Sequence, residues 1–318
     1  MAEPKLGLAL SSGGARGAAH VGVLKVLERA GIKPAAIAGT SIGAGVGGLY
    51  AAGVPLAEIE KLWLETDIIK VLKNYLPTFP RSGWSSGTEF RRHLQQLLGD
   101  TRIEDLEVRY AAVATDIETG EEVVLTEGPL VEAIRASSSI PGLFTPVQLE
   151  GRFLVDGGLV NPLPVDVARR MGVDVVIAVD VVPDPREGFR AGPPLLERLR
   201  NSVIFSNRLT RFFRERFQAG RVPEYVEELE RERPGDLTSA PGVFSILMQV
   251  SSILQRELTD LRLRQSPPDL LIEPQFTVPP RFHRAKEAIA AGEEAAEAAL
   301  PRLEELLHRP LRAAKSSA

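Results

Sequence analysis

The chain contains no cysteine. That excludes disulfides, thiolate catalysis and cysteine-ligated zinc or iron–sulfur centres. Long apolar runs are missing too: nothing approaches the roughly 18 consecutive apolar residues of a membrane-spanning helix. The N-terminal stretch MAEPKLGLALSSGGARG does not read as a secretory signal, because its apolar run Leu6–Leu10 is short and only Lys5 precedes it. A cytoplasmic protein is expected, and any lipid it meets is met from the water side, at most by peripheral contact. An excess of positive charge is also lacking. Lys and Arg number 38 against 42 Asp and Glu, a formal net charge of −4, so no bulk electrostatic case exists for a nucleic-acid partner. No cluster of Cys and His has metal-ligand spacing, and neither metal nor cofactor is expected.

What remains is an ordinary globular composition, 44% hydrophobic and 25% charged over 318 residues. That length allows one sizeable α/β core with additions, or two smaller domains. Leu6–Leu10 reads as a buried strand, followed by a Gly-rich turn over 11–17 and a helix ending near Gly31. Ala35–Ala38 reads as a second strand running into GTSIGAG and another helix. Strand, tight turn and helix, twice over, predict a parallel sheet covered on both faces. Further strands are expected at Tyr110–Thr115, Glu122–Leu125, Phe153–Val155, Val173–Val179 and Leu270–Glu273. The ETGE at 118–121 reads as a hairpin turn, which makes part of the sheet antiparallel. Helices fit Leu56–Glu65, Thr88–Leu98, Leu130–Ala136 and Val165–Met171.

From about Pro183 the character changes. Prolines at 183, 185, 193 and 194 mark a loop, and helical stretches follow at Leu195–Gln218, Glu224–Glu232 and Val243–Arg264. The expected organisation is a catalytic core over 6–181, a helical insertion over 182–268, and a last strand with a C-terminal helix over 269–318 packing on the core. Within the insertion, Phe205, Leu209, Phe212 and Phe213 share one helical face, with Arg200, Arg208, Arg211 and Arg214 on the others. That pattern suits either a lid, a face packed on neighbouring helices, or contact with an anionic membrane surface.

Three motifs carry chemistry. Gly39-Thr40-Ser41-Ile42-Gly43 matches G-x-S-x-G where a strand becomes a helix. A nucleophile elbow needs that layout, because the turn lifts the hydroxyl onto the positive end of the next helix. A Gly-rich turn with a capping serine is the plainer reading; the position after a strand favours chemistry. A serine nucleophile needs a base. None of the four histidines, at 20, 93, 283 and 308, lies at a strand end in the order expected of a Ser–Asp–His triad. Asp156, between Phe153-Leu154-Val155 and Gly157-Gly158, is either that base or a turn aspartate. The third motif is Ser12-Gly13-Gly14-Ala15-Arg16-Gly17, with the form of an anion cradle. It could serve a nucleotide phosphate or a reacting oxyanion. It is not a P-loop, since no Gly-Lys-Ser/Thr follows. Beside an elbow, an oxyanion hole fits better.

Together SGGARG at 12–17, GTSIG at 39–43 and DGG at 156–158 resemble the patatin-like phospholipase family. ASSSIPGLFTPV at 136–147 and the stretch from Asp156 to Val181 add to the resemblance. It implies a three-layer α/β/α sandwich with a mostly parallel central sheet. It implies hydrolysis of phospholipid or lysophospholipid acyl esters by a Ser–Asp dyad without histidine. Ser41 is then the nucleophile and Asp156 the proton acceptor. Gly13, Gly14, Ala15, Arg16 and Gly17 form the oxyanion hole. Ser12 departs from the family pattern, which usually has glycine there. Acyl transfer or thioester hydrolysis on the same site, and a non-catalytic lipid-binding module, are the competing readings.

Overall fold

The computed structural model describes residues 4–65, 87–186, 243–277 and 284–308. The chain separates into two compact units, one of Met1–Pro185 with Ser251–Ala318 and the other of Arg186–Val250. Most of the second unit lies outside the described residues, including the stretches Leu195–Gln218 and Glu224–Glu232 and the aromatic face of Phe205, Leu209, Phe212 and Phe213.

The larger unit is built on one sheet. Its strands are β1 (Leu6–Leu10), β2 (Ala36–Thr40), β3 (Arg109–Asp116), β4 (Glu122–Leu125), β5 (Val147–Leu149), β6 (Arg152–Asp156), β7 (Val175–Val179) and β8 (Leu270–Ile272). Hydrogen-bonded neighbours run β5-β6-β3-β2-β1-β7-β8, with β4 also paired to β3. β1, β2, β3, β7 and β8 pair in parallel, while β4, β5 and β6 pair antiparallel. The central strands are buried along their whole length, which is why they read as unbroken apolar runs. β2 continues to Thr40, two residues past the expected Ala38, and β7 starts at Val175 rather than Val173. β5 answers to no sequence expectation; it is three residues long and only partly buried.

Helices cover both faces. Leu8, Leu10, Ile37, Tyr110, Ile177 and Val179 point to one face, packed with α1 (Ala18–Arg29), α2 (Ile42–Ala51) and α8 (Ala285–Leu307). Alternate residues, Ala9, Ala38, Ala111, Val113, Val176 and Ala178, meet α6 (Val165–Arg170) and Leu263 of α7 (Val243–Gln265) on the other. The remaining helices are α3 (Leu56–Glu65), α4 (Thr88–Leu98) and α5 (Leu130–Ser137). The fold is therefore a three-layer α/β/α sandwich with a mostly parallel sheet. α8 lies closely on α1: a Cβ on Gly22 would stand 2.1 Å from the Ile289 carbonyl oxygen, and one on Gly292 2.0 Å from that of Ala19.

The long strand β3 brings two distant parts of the chain together. β2 pairs with it up to Thr40↔Val113, and β6 takes over one residue later at Asp156↔Ala114. β4 spans both registers. Because a strand has two edges, β2 and β6 must share the edge opposite β4. They run in opposite directions, so their C-terminal ends meet head on. This brings Ser41, the residue after β2, to Asp156, the last residue of β6.

Candidate active site

Ser41 sits on a strained turn. It is one of three described non-glycine residues with positive φ, at φ 56 and ψ −120. Glycine is required on either side of it. A Cβ on Gly39 would meet the Gly43 carbonyl oxygen at 2.5 Å, and one on Gly43 would meet that of Leu10 at 2.2 Å. α2 begins at Ile42, so the Ser41 hydroxyl stands at the positive end of that helix. Both Ser41 and Asp156 are buried.

The Ser41 Oγ donates to Asp156 Oδ2 at 2.6 Å. Asp156 Oδ1 accepts from the Gly158 N–H at 2.8 Å, which orients the carboxyl group. Gly157 lets the turn after β6 lie against β3, since a Cβ there would stand 2.2 Å from the Val113 carbonyl oxygen. Burial pushes the Asp156 pKa up to about 6, opposed by the hydrogen bonds from Ser41 and Gly158. A carboxylate raised in this way is a better base than one in water.

Three consecutive serines at the end of α5 hold the backbone of both residues. Ser137 Oγ accepts from Ser41 N–H at 2.9 Å and donates to the Val113 carbonyl at 2.5 Å. Ser138 Oγ donates to the Ser41 carbonyl at 3.2 Å. The Ser139 carbonyl accepts from Asp156 N–H at 3.0 Å. In the sequence these serines stand out only through the family resemblance. Their individual roles depend on which strand end lies above α5, and local pattern does not carry that.

The loop between β1 and α1 forms a 3₁₀ turn, Gly14–Gly17. Gly14 takes φ 56, and a Cβ on Gly13 would fall 2.5 Å from the Val181 carbonyl oxygen. The Arg16 N–H donates back to the Gly13 carbonyl at 3.2 Å. Its guanidinium lies over the Phe276 ring, 5.2 Å from the centroid. Gly17 packs on the elbow itself, since a Cβ there would stand 2.3 Å from Ile42 Cγ1. Gly13, Gly14 and Ala15 precede the first donor that the turn consumes.

The histidines fall elsewhere. His20 is fully buried, and its Nε2–H donates to the Ser11 carbonyl at 2.9 Å. Desolvation lowers its pKa to about 4, so it is neutral and structural. His93 lies in the polar helix α4, His308 caps α8, and His283 is outside the described residues. Among the described residues no group of three or more His, Asp or Glu could hold a metal ion.

Fold and site together define the patatin-like class of α/β sandwich. The chain belongs to the patatin-like phospholipase family, whose model matches residues 8–169. An uncharacterized NTE family protein of Mycobacterium tuberculosis is 34% identical over 95% of this chain and 93% of its own length. Lysophospholipase NTE1 of Yarrowia lipolytica is 38% identical over 55% of this chain and 12% of that protein. Among solved structures, VipD from Legionella pneumophila is 13% identical, with a TM-score of 0.42, covering 93% of this chain and 67% of its own. Membership of the family supports a lipid-hydrolase activity. No described helix is long and apolar enough to cross a membrane.

Proposed function

We propose that the protein hydrolyses acyl esters of phospholipids or lysophospholipids through Ser41 and Asp156. The observation that carries this is the 2.6 Å hydrogen bond from the Ser41 hydroxyl to a buried carboxylate, made on a strained strand-to-helix turn. Asp156 Oδ2 takes the Ser41 proton as Oγ attacks the ester carbonyl carbon. The negative charge that develops on the carbonyl oxygen is met by backbone N–H groups of Gly13, Gly14 and Ala15. Arg16 and Gly17 then serve the oxyanion hole by fixing the turn, through the Arg16 N–H, the Phe276 contact and the packing on Ile42. Asp156 returns the proton to the leaving alcohol, and an acyl-Ser41 ester remains. Water, activated by the same carboxylate, releases the fatty acid and restores Ser41. No step calls for a metal or a cofactor.

The lipid substrate class follows from the family and from the lysophospholipase among the relatives. The protein meets that lipid at the membrane surface from the water side. The deciding experiment is a turnover panel of p-nitrophenyl esters, lysophospholipids, diacyl phospholipids and acyl-CoA, with organophosphonate labelling of the protein. Release of fatty acid from a lysophospholipid and an adduct on Ser41 are expected. An adduct on another serine, or turnover of acyl-CoA alone, overturns the proposal.

A further inference from the structure

Two neighbouring residues of α7 reach the loops that flank Ser41. The Ser12 hydroxyl donates to Gln255 Oε1 at 2.7 Å. The other end of the amide is also engaged: Gln255 Nε2 donates to Ser251 Oγ at 2.9 Å. The same amide lies against the turn that orients Asp156. A Cβ on Gly158 would stand 3.0 Å from both Gln255 Cδ and Asp156 Oδ1. The Gln255 amide is therefore within about 6 Å of that carboxylate oxygen.

The next residue, Arg256, pairs with buried Asp180 at 2.9 Å, and Asp180 Oδ1 accepts from Val182 N–H at 2.9 Å. Val181 between them donates its N–H to Ser11 Oγ at 2.8 Å, and its carbonyl oxygen stands 2.5 Å from where a Cβ of Gly13 would be. Farther along α7, Arg262 reaches Glu122 at 3.3 Å. Polar contacts thus pin the helix, and Gln255 touches both the Gly-rich loop and the Asp156 turn. Ser12 is 2% exposed, so water does not replace the amide if it is lost. Leucine has nearly the shape of glutamine but cannot accept from Ser12. Glutamate can.

We infer that Gln255 is a positioning residue for ester hydrolysis: through Ser12 it holds the Gly13–Ala15 donors in place against the Ser41–Asp156 pair. This rests on the assignment of those backbone N–H groups to the oxyanion. It places part of the machinery outside the 8–169 span that the family model matches. It also gives the serine at position 12 a role that glycine there could not fill.

The test is steady-state kinetics on a short-chain p-nitrophenyl ester at pH 9, with thermal unfolding of each variant. Gln255→Leu should lower kcat about ten- to a hundredfold, the scale of a loop displaced by up to about 1 Å. KM should move less than about threefold, since the loop acts on the transition state. Ser12→Ala should lose kcat to a similar extent. The double variant should be no worse than the weaker single variant, because both remove one contact. Gln255→Glu keeps the acceptor oxygen but brings a second negative charge close to Asp156, so it should recover kcat only in part. Wild-type kcat in Gln255→Leu with only a lower melting temperature overturns the inference, as does a double variant that loses the product of the two single effects. If Gln255→Leu does not fold, Ser12→Ala decides alone: kcat equal to wild type overturns the inference. A phosphonate adduct on wild-type Ser41 confines any such failure to Gln255. Absence of both adduct and ester turnover in wild type removes the hydrolase assignment, and this inference with it.

Discussion

Asp156 gives its two carboxylate oxygens different work: Oδ1 takes the Gly158 N–H at 2.8 Å, and Oδ2 alone faces the Ser41 hydroxyl at 2.6 Å. The carboxylate is aimed by backbone, as a triad histidine is aimed by its own aspartate. Under the proposed mechanism, a base aimed in this way would need no third residue to orient it.

Ser41→Ala should abolish ester turnover and leave the fold intact, because only Oγ is removed. Ser41→Gly should be equally inactive but more stable than Ser41→Ala. The position has φ 56, where alanine keeps the backbone strain and glycine does not, a difference of about 1 kcal/mol. Urea unfolding of the two variants measures it. Equal stabilities would mean that the elbow is unstrained.

Asp156→Asn should be as inactive as Ser41→Ala, since the two residues act as a unit. In the wild type, kcat/KM should rise with pH through a single limb near pH 6, where Asp156 ionises. Stability should move the opposite way. The folded pKa of Asp156 lies above the ordinary 3.8, so its contribution is full below that value and is lost as pH rises through about 6. Above pH 6 the wild type carries a buried charge that asparagine lacks. Asp156→Asn should then be more stable by about 1–3 kcal/mol at pH 8, with the gain vanishing near pH 4. Denaturant titrations at the two pH values test this; a variant less stable at pH 8 would show that the charge is well solvated.

His20 should behave as a structural residue with the reverse linkage. Its folded pKa, about 4, lies below the ordinary 6.5. Its contribution is full above pH 6.5 and is lost as pH falls through about 4. His20→Gln, which keeps a donor for the Ser11 carbonyl, should flatten the acid side of the stability profile. Turnover at pH 8 should stay within about tenfold of wild type, far above that of a variant lacking its base. Loss of all turnover with the fold preserved would replace the dyad by a triad.

Much of the fold was legible because glycine punctuates it. Gly31 ends α1 at φ 73, and Gly39 and Gly43 bracket the elbow. The ETGE turn joins β3 to β4 as expected. Val147–Leu149 was not legible, because three residues after a proline, two half-buried and one exposed, are too few for a period to show. The elbow and the Asp-Gly-Gly turn each showed locally, but their contact spans 115 residues. It arises from two strands meeting on β3, which no local pattern encodes. Gln255 was hidden for a related reason. A glutamine inside an amphipathic helix reads as solvated surface, and its partner Ser12 is 243 residues away.

Ser137 provides the last test, because its hydroxyl bridges the two halves of the site. It accepts from Ser41 N–H at 2.9 Å and donates to the Val113 carbonyl at 2.5 Å, the strand residue paired with Thr40. It is fully buried, so alanine there leaves a donor and an acceptor without water. Ser137→Ala should cost about 1–3 kcal/mol of stability. It should also lower kcat, because the Ser41 backbone loses the bond that fixes its strained turn. Ser138→Ala is the matched comparison: that serine is half-buried and its bond to the Ser41 carbonyl is longer, at 3.2 Å. It should cost about 0.5 kcal/mol or less and leave kcat nearly unchanged. Chemical denaturation and p-nitrophenyl ester kinetics on the two variants suffice. Equal losses in both, or a stable Ser137→Ala with wild-type kcat, would mean that the elbow is held by its glycines and the β2–β3 pairing alone.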